Sequence, residues 1–143
     1  MEHGMGATLE ELEGEVWSKP LWQSHLVLRC QELRKKPIDQ FTIEDLRIMI
    51  GQNIGLEHLL PMALDILSAN PMAEGDYYPG DLLSSVVSAR REYFLSHPDA
   101  TRRVLAILAS AERLIRTIPK HDTTSVDTQL LERINALRMA IAG

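Results

Sequence analysis

The chain has 143 residues, of which 45% are hydrophobic, 24% charged and only 5% aromatic. This length fits one domain with a sizeable core, and the composition argues against a disordered chain. The formal net charge of −5 argues against unassisted nucleic-acid binding, which needs Lys and Arg for the phosphates. The same charge suits a basic protein partner, although mild acidity is also ordinary for a cytosolic protein.

A single cysteine, Cys30, means that no internal disulfide is possible. No stretch has the pattern of a signal peptide or the length of a membrane span. We therefore predict a cytoplasmic protein that has no membrane partner, and we favour a monomer. Residues 1–6 are polar and contain glycine, so we expect them to be flexible.

Two helical patterns open the chain. Thr8 and Glu11 have the spacing of a capping box, which predicts a short helix that stops near Gly14. Pro20 suits the first turn of a second helix, which Pro37 ends. The apolar side of this second helix contains Trp22, Leu26, Cys30 and Leu33.

The middle of the chain carries two apolar helical patterns separated by residues 51–55. Thr42 and Asp45 repeat the capping-box spacing before the first of them. The second pattern continues in phase across Pro61, so we expect one kinked helix there, rather than a helix that begins at this proline. Its apolar stripe consists of Leu56, Leu59, Leu60, Ala63, Leu64 and Leu67.

Three more helices are predicted after residue 79. The first begins at Gly80 or Asp81 and extends through Phe94, because apolar residues continue at helical spacing. Residues 96–98 end it and start the next helix, since proline is well accepted in a first helical turn. The last helix follows a third capping box at residues 124–127.

These patterns give six or seven helices joined by short loops, with no useful length of strand alternation. We therefore predict a single compact all-α domain over residues 1–143. A solenoid of helix pairs stays open as an alternative, although the helices differ in length and pattern.

Residues 71–81 form an acidic and aromatic loop between two of these helices. Tyrosine offers a large contact area with few rotatable bonds, and carboxylates beside it can pair with Lys or Arg of a partner. One interpretation is therefore a recognition loop. In the other, Tyr77 and Tyr78 anchor the loop on the core and Asp81 caps a helix.

The sequence contains no arrangement typical of catalysis or cofactor binding. Its five histidines include no i, i+4 pair with an acid that would ligate a metal. Residues 51–55 lack the lysine of a phosphate-binding loop. Glu44 and Asp45 are adjacent, so on a helix they point about 100° apart, unlike an acid–base pair. We predict no catalytic residue, no metal and no cofactor.

Several segments resemble a family of immunity proteins of bacterial contact-dependent growth inhibition systems. They are Ile43–Arg47, Ile50–Leu56, Leu60–Leu64 and Glu74–Leu83, with a weaker likeness over Thr8–Glu15. Proteins of this family bind the C-terminal toxin domain delivered by a neighbouring cell and block it. The resemblance implies an all-helical fold, residence in the cytoplasm and a toxin partner, which is often a ribonuclease.

The resemblance and the loop together predict a stoichiometric inhibitor that occludes the active site or substrate groove of a basic nuclease toxin. Fixed carboxylates would mimic substrate phosphates, and a tyrosine would anchor the contact. Two alternatives stay open: a helical adaptor or chaperone that binds without inhibiting, and a helical enzyme acting on a small molecule. The predicted toxin-binding residues are Asp45, Glu74, Asp76, Tyr77, Tyr78 and Asp81.

Overall fold

A computed structural model describes residues 6–18 and 24–141, and every regular element in them is helical. They form eight α-helices and two 3₁₀ turns, Ile38–Gln40 and Lys120–Asp122. This confirms the predicted all-α class. The helices are α1 Leu9–Glu13, α2 His25–Arg34, α3 Ile43–Gly51, α4 Leu56–Ala69, α5 Asp81–Val87, α6 Arg91–Ser96, α7 Pro98–Arg116 and α8 Ser125–Ile141.

Three of the helices start at the capping boxes that the sequence predicts. The hydroxyls of Thr8, Thr42 and Thr124 each accept the amide of the residue three positions later. The carboxylate of that later residue accepts the threonine's own amide. Each box thereby satisfies two backbone donors that the start of a helix would leave unpaired.

The helix expected from Asp81 through Phe94 is instead two helices, α5 and α6. The break lies at residues 88–90, where the Arg90 amide donates to the side-chain oxygen of Asn53 at 2.8 Å. The Arg90 amide thus donates to a side chain of a distant turn and not to a carbonyl of its own helix. The local sequence pattern cannot predict this contact. With this split, the described residues contain eight α-helices, where six or seven were predicted.

Some predictions at the start of the chain fall outside the described residues. Pro20 and Trp22 are among these, as are residues 1–5 of the segment expected to be flexible. Leu26 was expected on the buried side of its helix, but 44% of its surface is exposed. The reason is that α2 contributes to the core only from its C-terminal half, through Cys30, Leu33 and Arg34.

The main part of the core lies among α3, α4, α5, α7 and α8. Helix α3 packs against α4 and α5, α4 packs against α7, and α8 packs against α5 and α7. Helix α4 runs through Pro61 as one element, as the continuous stripe predicts. The buried part of that stripe, at most 1% exposed at each position, is Leu59, Leu60, Ala63, Leu64 and Leu67.

We expect Leu60→Ala and Leu64→Ala each to lower the free energy of unfolding by ~2–5 kcal/mol, because each leaves a cavity in the core. Urea denaturation followed by helical circular dichroism measures this change. The matched control is Leu114→Ala on α7, where 46% of the side chain is already exposed; it should change stability by less than ~0.5 kcal/mol. Equal losses at all three positions would contradict this assignment of the core.

Candidate functional site

The segment 70–80 connects α4 to α5, and its own backbone closes it into a tight loop. The Gly80 amide donates to the Met72 carbonyl at 3.1 Å, and Glu74 and Pro79 form an isolated antiparallel bridge. Gly80 has a φ of +92°, a conformation that residues with a side chain rarely adopt. The loop therefore reverses direction and enters α5 in one fixed way.

The carboxylate of Asp81 fixes the backbone of this loop between residues 75 and 78. It accepts the backbone amides of Gly75 at 2.6 Å, Tyr77 at 3.0 Å and Tyr78 at 3.4 Å. Hydrogen bonds to an ionised acceptor are stronger than neutral ones, and Asp81 is only 2% exposed. Asp81 does not cap α5, because Gly80 occupies the position before the helix.

Helix α3 holds the loop from the side through Glu44 and Arg47. One oxygen of Glu44 accepts the Asp76 amide at 3.0 Å. Arg47 donates to both oxygens of Glu44, at 2.7 and 2.5 Å, and this pairing keeps the Glu44 pKa below its ordinary value. The Arg47 guanidinium also lies 4.5 Å from the centre of the Tyr77 ring, which it covers on one side.

Gly75 passes between the two supporting carboxylates, where there is no room for a side chain. A Cβ atom at this position would lie 2.6 Å from the Glu44 Oε1 atom and 3.2 Å from the Asp81 Oδ2 atom. The loop can therefore use both acceptors only because this residue is glycine.

Three side chains of the loop point outward, and we call them the acidic tip: Glu74, Asp76 and Tyr77. Tyr77 is 69% exposed although Arg47 covers one side of its ring. The carboxylates of Glu74 and Asp76 make no hydrogen bond or ion pair with another described residue. Tyr78 is half-buried beside them. The tip thus combines two uncommitted negative charges with a held aromatic ring.

Asp45 is buried in a cluster of charged groups between α2 and α3 that borders the loop. Residues of the cluster and of the loop line one pocket together, among them Arg29, Lys36, Asp45, Glu74 and Asp76. Its carboxylate contacts Lys36 at 2.6 Å, Arg29 at 3.0 Å and the Thr42 amide at 3.0 Å. Burial alone would raise the Asp45 pKa, but the hydrogen bonds from Lys36 and Thr42 and the two cationic charges outweigh it and lower the pKa.

The structure therefore divides the predicted site residues into two groups. Asp45 and Asp81 are buried, and neighbouring cations or amides already engage their carboxylates. Glu74, Asp76, Tyr77 and Tyr78 lie together on the loop. Proposals about partner binding accordingly rest on the second group.

The supporting role of Glu44 and Arg47 was not predicted from the sequence. Their i, i+3 spacing was a signal of an ion pair on one helix face. The loop that this pair supports lies about thirty residues further along the chain, and local spacing cannot show that contact.

The described residues offer neither a metal-binding cluster nor a membrane-spanning helix. In residues 6–18 and 24–141 no group of three or more His, Cys, Asp or Glu side chains could hold a metal ion. Over the same ranges, none of the helices combines the length and apolar character needed to cross a membrane.

Comparison with known proteins identifies the family. The family model described as CDI immunity proteins, where CDI is contact-dependent growth inhibition, matches residues 11–104. That span includes α3, the loop and α5. The chain belongs to the family of CDI immunity proteins, whose role is to bind a cognate toxin protein and neutralise it. No curated protein and no solved structure matches the chain.

We expect Asp81→Ala to lower the free energy of unfolding by at least ~2 kcal/mol, because three backbone amides lose the buried, charged acceptor that they share. Amide exchange at Gly75 and Tyr77 should become faster in the same variant. Asp76→Ala is the matched control, since it removes an exposed carboxylate from the same loop, and it should cost less than ~0.5 kcal/mol. If the two variants are equally stable, Asp81 does not hold the loop.

Proposed function

We propose that this immunity protein neutralises a nuclease toxin by placing its acidic tip in the groove where the toxin holds substrate phosphates. The proposal rests on one observation: two uncommitted carboxylates stand beside an exposed tyrosine on a loop that is held from two sides. One copy of the chain would block one toxin by occupancy, without turnover. The encounter would take place in the cytoplasm, and the immunity protein would act as a monomer.

Electrostatics favours a nuclease as the target. An enzyme that cleaves nucleic acid must present Lys and Arg side chains to the phosphates of its substrate. The chain carries a formal net charge of −5, and attraction of this kind speeds the encounter of two proteins. Glu74 and Asp76 would then meet two of the cationic positions that phosphates otherwise occupy.

The rigidity of the loop favours tight binding. Ordering a flexible loop on association costs free energy that subtracts from affinity. Here the amides of Gly75, Asp76 and Tyr77 already have acceptors in the free protein. The Tyr77 ring is also held against Arg47, so it presents a large contact surface in a fixed orientation.

The double substitution Glu74→Lys, Asp76→Lys tests the proposal, because it reverses the charge of the tip without removing a buried contact. Affinity for the cognate toxin domain should fall at least about tenfold, since a desolvated charge pair typically contributes ~2–5 kcal/mol on truncation. Association should also be slower and less sensitive to salt. Surface plasmon resonance at several salt concentrations measures all three quantities.

The matched control is Asp39→Lys, Glu92→Lys, which changes the net charge equally at two other exposed acids. It should retain the parent's affinity to within about twofold, because charges outside an interface contribute little to binding. If both double variants lose the same affinity, only the overall charge matters. If neither loses any, the acidic tip lies outside the interface.

A further inference from the structure

Next to the acidic tip, residues of the loop, α3, α5 and α8 line an open groove of about 360 Å³. Its lining includes Tyr77 and Tyr78 of the loop, Arg47 of α3, Ser84 of α5 and Arg133 of α8. Tyr77 thus belongs to the tip and to the groove. A partner that covers the tip would therefore also meet the mouth of this groove.

The uncompensated charge in this groove is positive. Asp81 lines it, but three backbone amides engage the Asp81 carboxylate. Arg47 is paired with Glu44. Arg133 donates one N–H to the Ser84 hydroxyl at 2.7 Å and has no carboxylate within ion-pair distance in the described part of the chain. Among the described residues, the charge of Arg133 is therefore left without an ionic partner.

The hydrogen-bonding groups around Arg133 suit an acceptor. The guanidinium offers several N–H donors in a fork that matches the two oxygens of a carboxylate. The Ser84 hydroxyl accepts from Arg133, so its own proton remains available to a further acceptor. Tyr77 and Tyr78 line the same space and bring phenolic hydroxyls that can also donate.

We infer that this groove binds one Asp or Glu side chain of the toxin. The inference rests on the proposed function, because it assumes that the toxin covers the acidic tip. A single carboxylate suits the site better than a nucleic-acid strand, since a strand carries a charge at every nucleotide. Glu74 and Asp76 on the same loop would repel its neighbouring phosphates.

The toxin surface is thereby specified in more detail. It would present basic side chains to Glu74 and Asp76 and one acidic side chain to Arg133. A contact of mixed charge fixes the orientation of two proteins and rejects partners in which the signs do not alternate in the same way. The groove would therefore contribute to discrimination between cognate and non-cognate toxins.

The substitution Arg133→Gln tests this inference in the full chain, since it removes the charge but keeps a polar side chain with N–H donors. Affinity for the cognate toxin domain, measured by isothermal titration calorimetry, should fall at least about tenfold. The matched control is Arg113→Gln on α7. Arg113 is also exposed and also donates to a serine hydroxyl, that of Ser110 at 3.2 Å. The control should stay within about twofold of the parent.

A second variant keeps both arginines of the groove, Arg47 and Arg133. Ser88 is exposed at the edge of the groove, so Ser88→Tyr fills the space without removing a charge. It should weaken toxin binding to a similar degree, while circular dichroism and the urea midpoint stay close to the parent's. Arg133→Glu should lose more affinity than Arg133→Gln, and changing one exposed toxin Asp or Glu to Arg should restore part of that loss.

Two results would overturn the inference while leaving the proposed function intact. In the first, the parent binds and inhibits the toxin, and the Arg133→Gln variant binds and inhibits it equally well. The other is binding of an RNA oligonucleotide to the parent that Arg133→Gln abolishes, because the groove would then be a polyanion site. A parent that does not bind the toxin would instead overturn the proposed function, and this inference with it.

Discussion

The burial of one carboxylate determines the shape of the candidate site. A charge taken out of water is costly unless hydrogen bonds compensate it. Asp81 is 2% exposed, and its compensation comes from the amides of Gly75, Tyr77 and Tyr78. The loop cannot move away from Asp81 without leaving that charge unpaired, so the conformation of the loop is tied to the burial of Asp81.

This constraint connects the exposed surface to the core. Asp81 is the first residue of α5, and the next two residues, Leu82 and Leu83, are fully buried. Glu44 gives the loop a second acceptor from α3, which packs against α5. The acidic tip is therefore held by two helices of the core, and its carboxylates and ring are positioned before any partner arrives.

The same arrangement places opposite charges next to each other on one face. Glu74 and Asp76 leave negative charge at the tip, whereas Arg133 leaves positive charge in the adjacent groove. Tyr77 belongs to both surfaces. An interface of this kind can obtain affinity from the aromatic contact and selectivity from the alternation of charge.

Local patterns in the sequence were sufficient for most of the fold. Three capping boxes and the stripe of α4 predicted where helices start and which side of α4 is buried. They could not predict the break between α5 and α6, which depends on Asn53 in a distant turn. Nor could they show that Leu26 is exposed, because this depends on which part of α2 reaches the core.

For the candidate site, the sequence indicated the loop at residues 71–81. It did not indicate which acids of the loop are buried supports and which are exposed. Asp81 and Asp76 are acids of one loop, yet the first is buried beneath it and the second is exposed. This difference in burial between Asp81 and Asp76 depends on how α3 and α5 pack. Arg133 carried no signal at all, since its partner Ser84 lies 49 residues away and the groove exists only when α8 is folded against α5.

The most direct test of the account is a titration of the cognate toxin domain with this protein, followed by the nucleic-acid cleavage that remains. Inhibition by occupancy predicts that activity falls linearly and disappears near one equivalent of immunity protein. Complete loss at a small fraction of an equivalent would indicate that the protein acts on the toxin catalytically. Full activity in the presence of excess protein would show that binding, if it occurs, does not neutralise the toxin.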